Sequence, residues 1–148
     1  MTGASYRADV AVPDFPDDRP LFVFDGVCAL CSGFVQFLLR HDHARRFRFA
    51  TAQSALGAAL YRHYGLATAP YATNLLILDG AAYLKSDAFI ACMIGLGGPW
   101  TAFALLRLCP RVVRDAVYTP IARNRYRLFG RHGSCYVPDA GDAGRFLD

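Results

Sequence analysis

Leu21-Phe22-Val23-Phe24 is apolar at four consecutive positions and is closed by Asp25-Gly26. A half-exposed strand alternates apolar and polar side chains. A continuous run predicts a strand covered on both faces, and therefore a layered α/β domain with helices flanking a sheet. Asn74-Leu75-Leu76-Ile77-Leu78 repeats the pattern, while Phe47 and Phe49 alternate with Arg46 and Arg48 and predict a half-exposed strand over about 46–50. Leu30, Phe34, Phe37, Leu38 and His41 fall at helical spacing, so a helix runs from Cys28 to about 40–42. A second helix is expected from about Gln53 to Tyr64, ended by Gly65 as a left-handed cap. Asp79-Gly80 is a hairpin signal that returns 81–85 antiparallel to the preceding strand. Ser86 then reads as the cap of a helix with Asp87 in its first turn. Further helices are expected near 99–108 and 111–118, and Thr119-Pro120 reads as an N-cap and first residue of a last helix over 120–129.

This order is a βαβ unit followed by a β-hairpin and helices. It predicts an α/β, thioredoxin-like fold: a mixed central sheet flanked by helices, with a C-terminal helical extension. Residues 1–19, rich in Asp and Pro, are expected to form a flexible arm, 20–137 the domain and 138–148 a tail.

At 148 residues and 54% hydrophobic content the chain can bury one sizeable core and is far from a disordered composition. The net charge of +4 permits an acidic partner or anionic ligand without requiring one. No basic-then-apolar leader opens the sequence, so a cytoplasmic location is the expectation. In that setting the five cysteines suit redox chemistry, metal binding or simple burial better than a disulfide scaffold. Residues 88–106 carry no charge and are long enough to span a bilayer, but Gly95-Leu96-Gly97-Gly98-Pro99 interrupts them. Two shorter helices packed in a core are predicted instead.

Cys28-Ala29-Leu30-Cys31 sits where the first strand hands over to the first helix. The thiolate is the reactive form of cysteine, and a helix N-terminus favours it with unpaired N–H groups and a partial positive charge. Cys31 lies three residues on, on the same side of the first turn. Cys28 is therefore expected to attack a partner disulfide as the nucleophile, with Cys31 resolving the mixed disulfide. Asp25, at the end of a buried strand, has two readings. Desolvation favours its neutral form and suits it to accept the proton of Cys31, or it merely caps the turn.

Asp25-Gly26-Val27-Cys28-Ala29-Leu30-Cys31 resembles the Asp-Gly-x-Cys-x-x-Cys signature of the DCC family of thiol-disulfide oxidoreductases. The resemblance continues through Ser86-Asp87-Ala88 and Ala122-Arg123-Asn124-Arg125-Tyr126-Arg127-Leu128-Phe129-Gly130, and covers about residues 20–137. It implies a thioredoxin-like fold and redox activity. The cysteine pair is expected to work without a further cofactor, on a protein or small-molecule thiol or disulfide. One departure from better-known thioredoxin-like proteins is the third strand, which is approached by Ala72-Thr73-Asn74 where a cis-proline is usual; the nearest proline is Pro70.

The remaining residues offer alternatives. His132 and Cys135 have metal-ligand spacing and with Cys28 and Cys31 would make a four-ligand zinc site in a binding or structural module. Cys92 and Cys109 read as buried and inert. His41, His43 and His63 fall near helix ends, where dipole contacts suffice. Seven Arg and one Asp lie between Arg107 and Arg131, which reads either as a solvated helical face or as an anion-binding surface centred on Arg123 and Arg125. Nucleic acid is not expected, for want of a motif. Tyr126 and Phe129 are expected in the core, and docking of the apolar 88–108 region on a membrane protein is the weakest alternative.

Overall fold

The structure, a computed structural model, describes residues 6, 10–13, 15, 19–43, 45–66, 74–78, 80–130, 141 and 143–147. Its strands are β1 (Leu21–Phe24), β2 (Arg48–Thr51), β3 (Leu75–Leu78) and β4 (Ala81–Leu84). Its helices are α1 (Ala29–His41), α2 (Ala55–His63), α3 (Lys85–Leu96), a 3-10 segment over Gly98–Leu108, α4 (Arg111–Arg123) and α5 (Arg125–Phe129). The sheet order is β2-β1-β3-β4, with β1 parallel to β2 and antiparallel to β3. The predicted α/β architecture, a mixed sheet flanked by helices in the thioredoxin-like manner, is what forms.

The continuous apolar run of β1 has the expected cause. Leu21 and Val23 pack with Leu75, Ile77 and the α2 residues Leu56, Leu60 and Tyr61 on one face. Phe22 and Phe24 pack on the other with Val35 and Leu38 of α1 and Ala88 and Cys92 of α3. β1 is thus the middle of three layers, and its carboxyl end is where the chain must leave the core. Gly57 marks how closely α2 lies on β2: a Cβ there would fall 2.1 Å from the carbonyl oxygen of Thr51. Ser54 caps α2 by accepting the N–H of Gly57 at 3.0 Å, and Gly65 closes the segment at φ +67.

Two expectations are corrected. Ser86 does not cap α3: the helix starts at Lys85, two residues earlier than that cap implies, and Leu84 holds the cap position. The Ser86 hydroxyl is used between helices instead, donating to Asp115 at 2.5 Å and accepting from Arg114 at 3.1 Å. Pro120 does not open a helix but lies inside α4. The carbonyl that loses its donor belongs to Ala116, which is exposed, so water can satisfy it. The helix stops at Asn124, whose backbone N–H and side-chain amide both donate to the Pro120 carbonyl, at 3.1 and 2.8 Å.

Before β1, Tyr6 and Val12 are buried on the α2 side of the core and Tyr6 stacks on Phe15. Leu147 donates to the Phe49 carbonyl at 2.7 Å, and Phe146 bridges Phe49 in parallel, extending the sheet beyond β2. Arg145 is buried beside Asp42, forms an ion pair with it, and donates to the Phe47 carbonyl at 3.1 Å. Asp42 in turn accepts the N–H groups of Arg46 and Phe47, at 3.1 and 2.8 Å.

Among the described residues no helix is long and apolar enough to cross a membrane. The uncharged stretch is split as predicted at Gly97, which takes φ +74 between α3 and the 3-10 segment, but only α3 packs in the core: the 3-10 segment has no buried residue, and Leu105 and Leu108 are exposed.

Candidate active site

The chain leaves β1 through Asp25-Gly26-Val27, a turn closed by the Cys28 N–H donating to the Asp25 carbonyl at 3.2 Å. Asp25 is 3% exposed. Its Oδ1 accepts the Val27 N–H at 3.2 Å and the Gln53 side-chain amide at 2.7 Å. Gln53 completes a fork by accepting the Gly26 N–H on Oε1 at 3.0 Å. The carboxyl is therefore both a turn acceptor and a buried group held from the turn that follows β2. These contacts fit either reading of Asp25.

Cys28 occupies the N-cap of α1 in extended geometry (φ −81, ψ 125), and its Sγ accepts the N–H of Cys31 at 3.4 Å. Its carbonyl accepts the Ser32 N–H at 2.9 Å, while the Ser32 hydroxyl reaches back to the Gly26 carbonyl at 3.4 Å. No acidic residue stands in the first turn of α1 to oppose a thiolate there. The first helical N–H, that of Ala29, is taken by the carbonyl of Gly130 at 3.3 Å. The end of the C-terminal extension is thereby fixed against the start of the dithiol helix. Cys28 and Cys31 are not joined by a disulfide in this structure. Their exposure is opposite to their expected roles: Cys28 is completely buried and Cys31 is partly exposed.

Asp25 and Cys28 share the turn that opens α1, and Cys31 lies one helical turn on with its N–H directed at Cys28 Sγ. Arg123 is exposed at the end of α4, and of Arg125 the backbone alone is described, opening α5. His132, Cys135, Pro70 and the approach to β3 over Ala72-Thr73 lie outside the described residues. Among the described residues no three His, Cys, Asp or Glu side chains converge as a metal site. Cys92 is buried as expected, and desolvation pushes its thiol well above the ordinary range. Cys109 is not buried but half-exposed, because it belongs to the surface connector between the 3-10 segment and α4. Phe129 is likewise exposed rather than in the core.

The site contacts of Gln53 and Gly130 were not expected from the sequence. Gln53 was within reach of it. In a parallel pair, residues just after one strand lie beside residues just after the other, and the register Phe24 opposite Thr51 puts Gln53 next to Asp25 and Gly26. Gly130 ends the segment 122–130 that carries the family resemblance, but no local pattern relates it to Ala29.

A mixed four-stranded sheet with a Cys-x-x-Cys at the start of the helix that follows its first strand defines a thioredoxin-like dithiol protein. The chain belongs to the DCC1-like thiol-disulfide oxidoreductase family, whose family model matches residues 22–131, from β1 to just past Gly130. It is 41% identical over 127 residues to the uncharacterized protein YuxK of Bacillus subtilis, covering 86% of this chain and 93% of that one. It is also 41% identical over 121 residues to a DCC family protein of Arabidopsis thaliana named as chloroplastic, covering 80% of this chain and 70% of the relative. No solved structure matches.

Proposed function

We propose that Cys28 and Cys31 cycle between dithiol and disulfide in exchange with a protein or small-molecule thiol partner in a reducing, cytoplasmic setting. The observation that carries this is the Cys31 N–H aimed at Cys28 Sγ at the start of α1. A donor there favours the anion over the thiol. The Cys28 thiolate attacks one sulfur of a substrate disulfide. A Cys28–substrate bond forms, the substrate S–S bond breaks, and the leaving sulfur departs as a thiolate that takes a proton from water. Cys31 then gives its proton to a base and attacks Cys28 Sγ. The second substrate thiolate is released and the Cys28–Cys31 disulfide remains. The substrate gains two electrons and the dithiol loses two; the reverse sequence oxidises a substrate. Asp25, buried behind the turn, is the proposed proton acceptor for Cys31.

The burial of Cys28 favours a second order of events, in which the accessible Cys31 meets the substrate first and Cys28 resolves. Cys28→Ser and Cys31→Ser variants separate the two. If Cys28 attacks first, Cys31→Ser traps the mixed disulfide and Cys28→Ser does not; the second order gives the converse. Redox titration of the full chain should give a reversible two-electron couple within about −120 to −270 mV. A pair that cannot be oxidised without unfolding would refute both.

A further inference from the structure

Helix α4 is turned inside out. Its inward side carries polar groups: Arg114 bonds Asp87 at 2.9 Å and Ser86 at 3.1 Å, Asp115 accepts from Ser86, and Tyr118 donates to Asn74 at 3.0 Å. Its outward side is aliphatic. Val113, Val117 and Ile121 stand at four-residue spacing, with Val112 beside them 81% exposed and Val117 63% exposed. The run continues on α5, where Leu128 and Phe129 are 61% and 50% exposed. An amphipathic helix of a globular domain normally buries this side. Here polar contacts seat the helix and the apolar stripe faces out, which marks a surface that another body covers.

Charge selects the occupant. Residues 98–130 contain six Arg and a single acidic residue, Asp115. That carboxylate is bonded to Ser86, and the neighbouring Asp87 is held by Arg111 and Arg114. Arg107, Arg123 and Arg127 are exposed on the same three elements. A second copy would set arginines against arginines. The outward side of a helix is convex, so a rigid protein partner would need a matching groove, whereas a lipid surface yields to a ridge. We infer that the outward face of α4 and α5 docks on an anionic lipid surface, its aliphatic stripe in the headgroup boundary and its arginines on the lipid phosphates. Because Gly130, directly after α5, bonds Ala29, docking holds the dithiol turn beside that surface.

The full chain is sedimented with vesicles of phosphatidylcholine containing one-third phosphatidylglycerol, and with vesicles of phosphatidylcholine alone. Binding to the anionic vesicles should be at least about tenfold tighter and should weaken with salt. Val117→Asp and Ile121→Asp should each reduce it by about tenfold or more. Arg123→Gln and Arg127→Gln should each reduce it by about fivefold and flatten the salt dependence. These positions are exposed, so melting temperature and the Cys28–Cys31 couple should be unchanged. Failure of lipid binding is thereby distinguished from failure of the dithiol reading. Equal pelleting with both vesicle types, or Val117→Asp binding like the parent, overturns the inference. So does a concentration-dependent dimer abolished by Ile121→Asp, which would give the face to a second copy.

Discussion

Asp25 and Gln53 join the ends of β1 and β2 behind the turn that leads to Cys28. The Gln53 amide spans two strand ends, giving its N–H to the carboxyl and taking the Gly26 N–H. It fixes where Asp25 Oδ1 points. If Asp25 takes the proton of Cys31, Asp25→Asn keeps the turn acceptor but removes the base, and resolution of a trapped mixed disulfide should slow by about 10²–10⁴-fold. An unchanged rate would leave Asp25 as a turn residue. Gln53→Ala should cost about 0.5–1.5 kcal/mol in urea unfolding and displace the pH profile of resolution, a change that a merely structural glutamine would not produce. The sequence made Cys28, Cys31 and Asp25 legible because a local rule, strand then turn then helix, brings them together. Gln53 is reached through a β-pairing register, which no single segment displays.

Among the elements, those with a two-sided apolar environment read directly from sequence and those seated by polar contacts did not. β1 and β3 are continuous apolar runs and lie central in the sheet. α4 carries Arg114 and Asp115 inward, so its pattern resembles a solvated charged face when the aliphatic side is in fact the exposed one. Pro120 was misleading for a related reason: a proline ends a helix when the orphaned carbonyl is buried, and on α4 it is not. The strap over residues 145–147 was unreadable because its partner, Asp42, is 103 residues from Arg145. The guanidinium lies 5.5 Å from the centroid of the Phe49 ring, with its ion pair buried beneath. Arg145→Ala leaves the Asp42 carboxylate buried without its counter-ion and should cost about 3–5 kcal/mol in urea unfolding. The double variant Asp42→Asn with Arg145→Met should recover part of that loss.

At the scale of the whole molecule, the core on the α1 and α3 side of the sheet encloses a thiol, and that sets a limit on alkaline stability. Native Cys92 stays protonated because burial disfavours its anion. In the unfolded chain it ionises from about pH 8.5. Above that pH the native state holds a proton that the unfolded state has released, so stability is full below about pH 8.5. It falls beyond that by up to about 1.4 kcal/mol per pH unit. Tyr64, raised mainly by desolvation, adds a loss of the same sign from about pH 10. Urea midpoints measured from pH 7 to 10 should show the decline, and Cys92→Ala should flatten the part that begins near pH 8.5. The layer order was legible from the strand and helix pattern; the closing of the sheet by residues 145–147 was not. That closing also has a consequence in time. Asp42 is translated 103 residues before Arg145, an interval of roughly 5–20 s at ordinary rates of synthesis. Throughout it the nascent domain carries an unneutralised carboxylate and an open β2 edge, and a neighbouring chain can add to the sheet there.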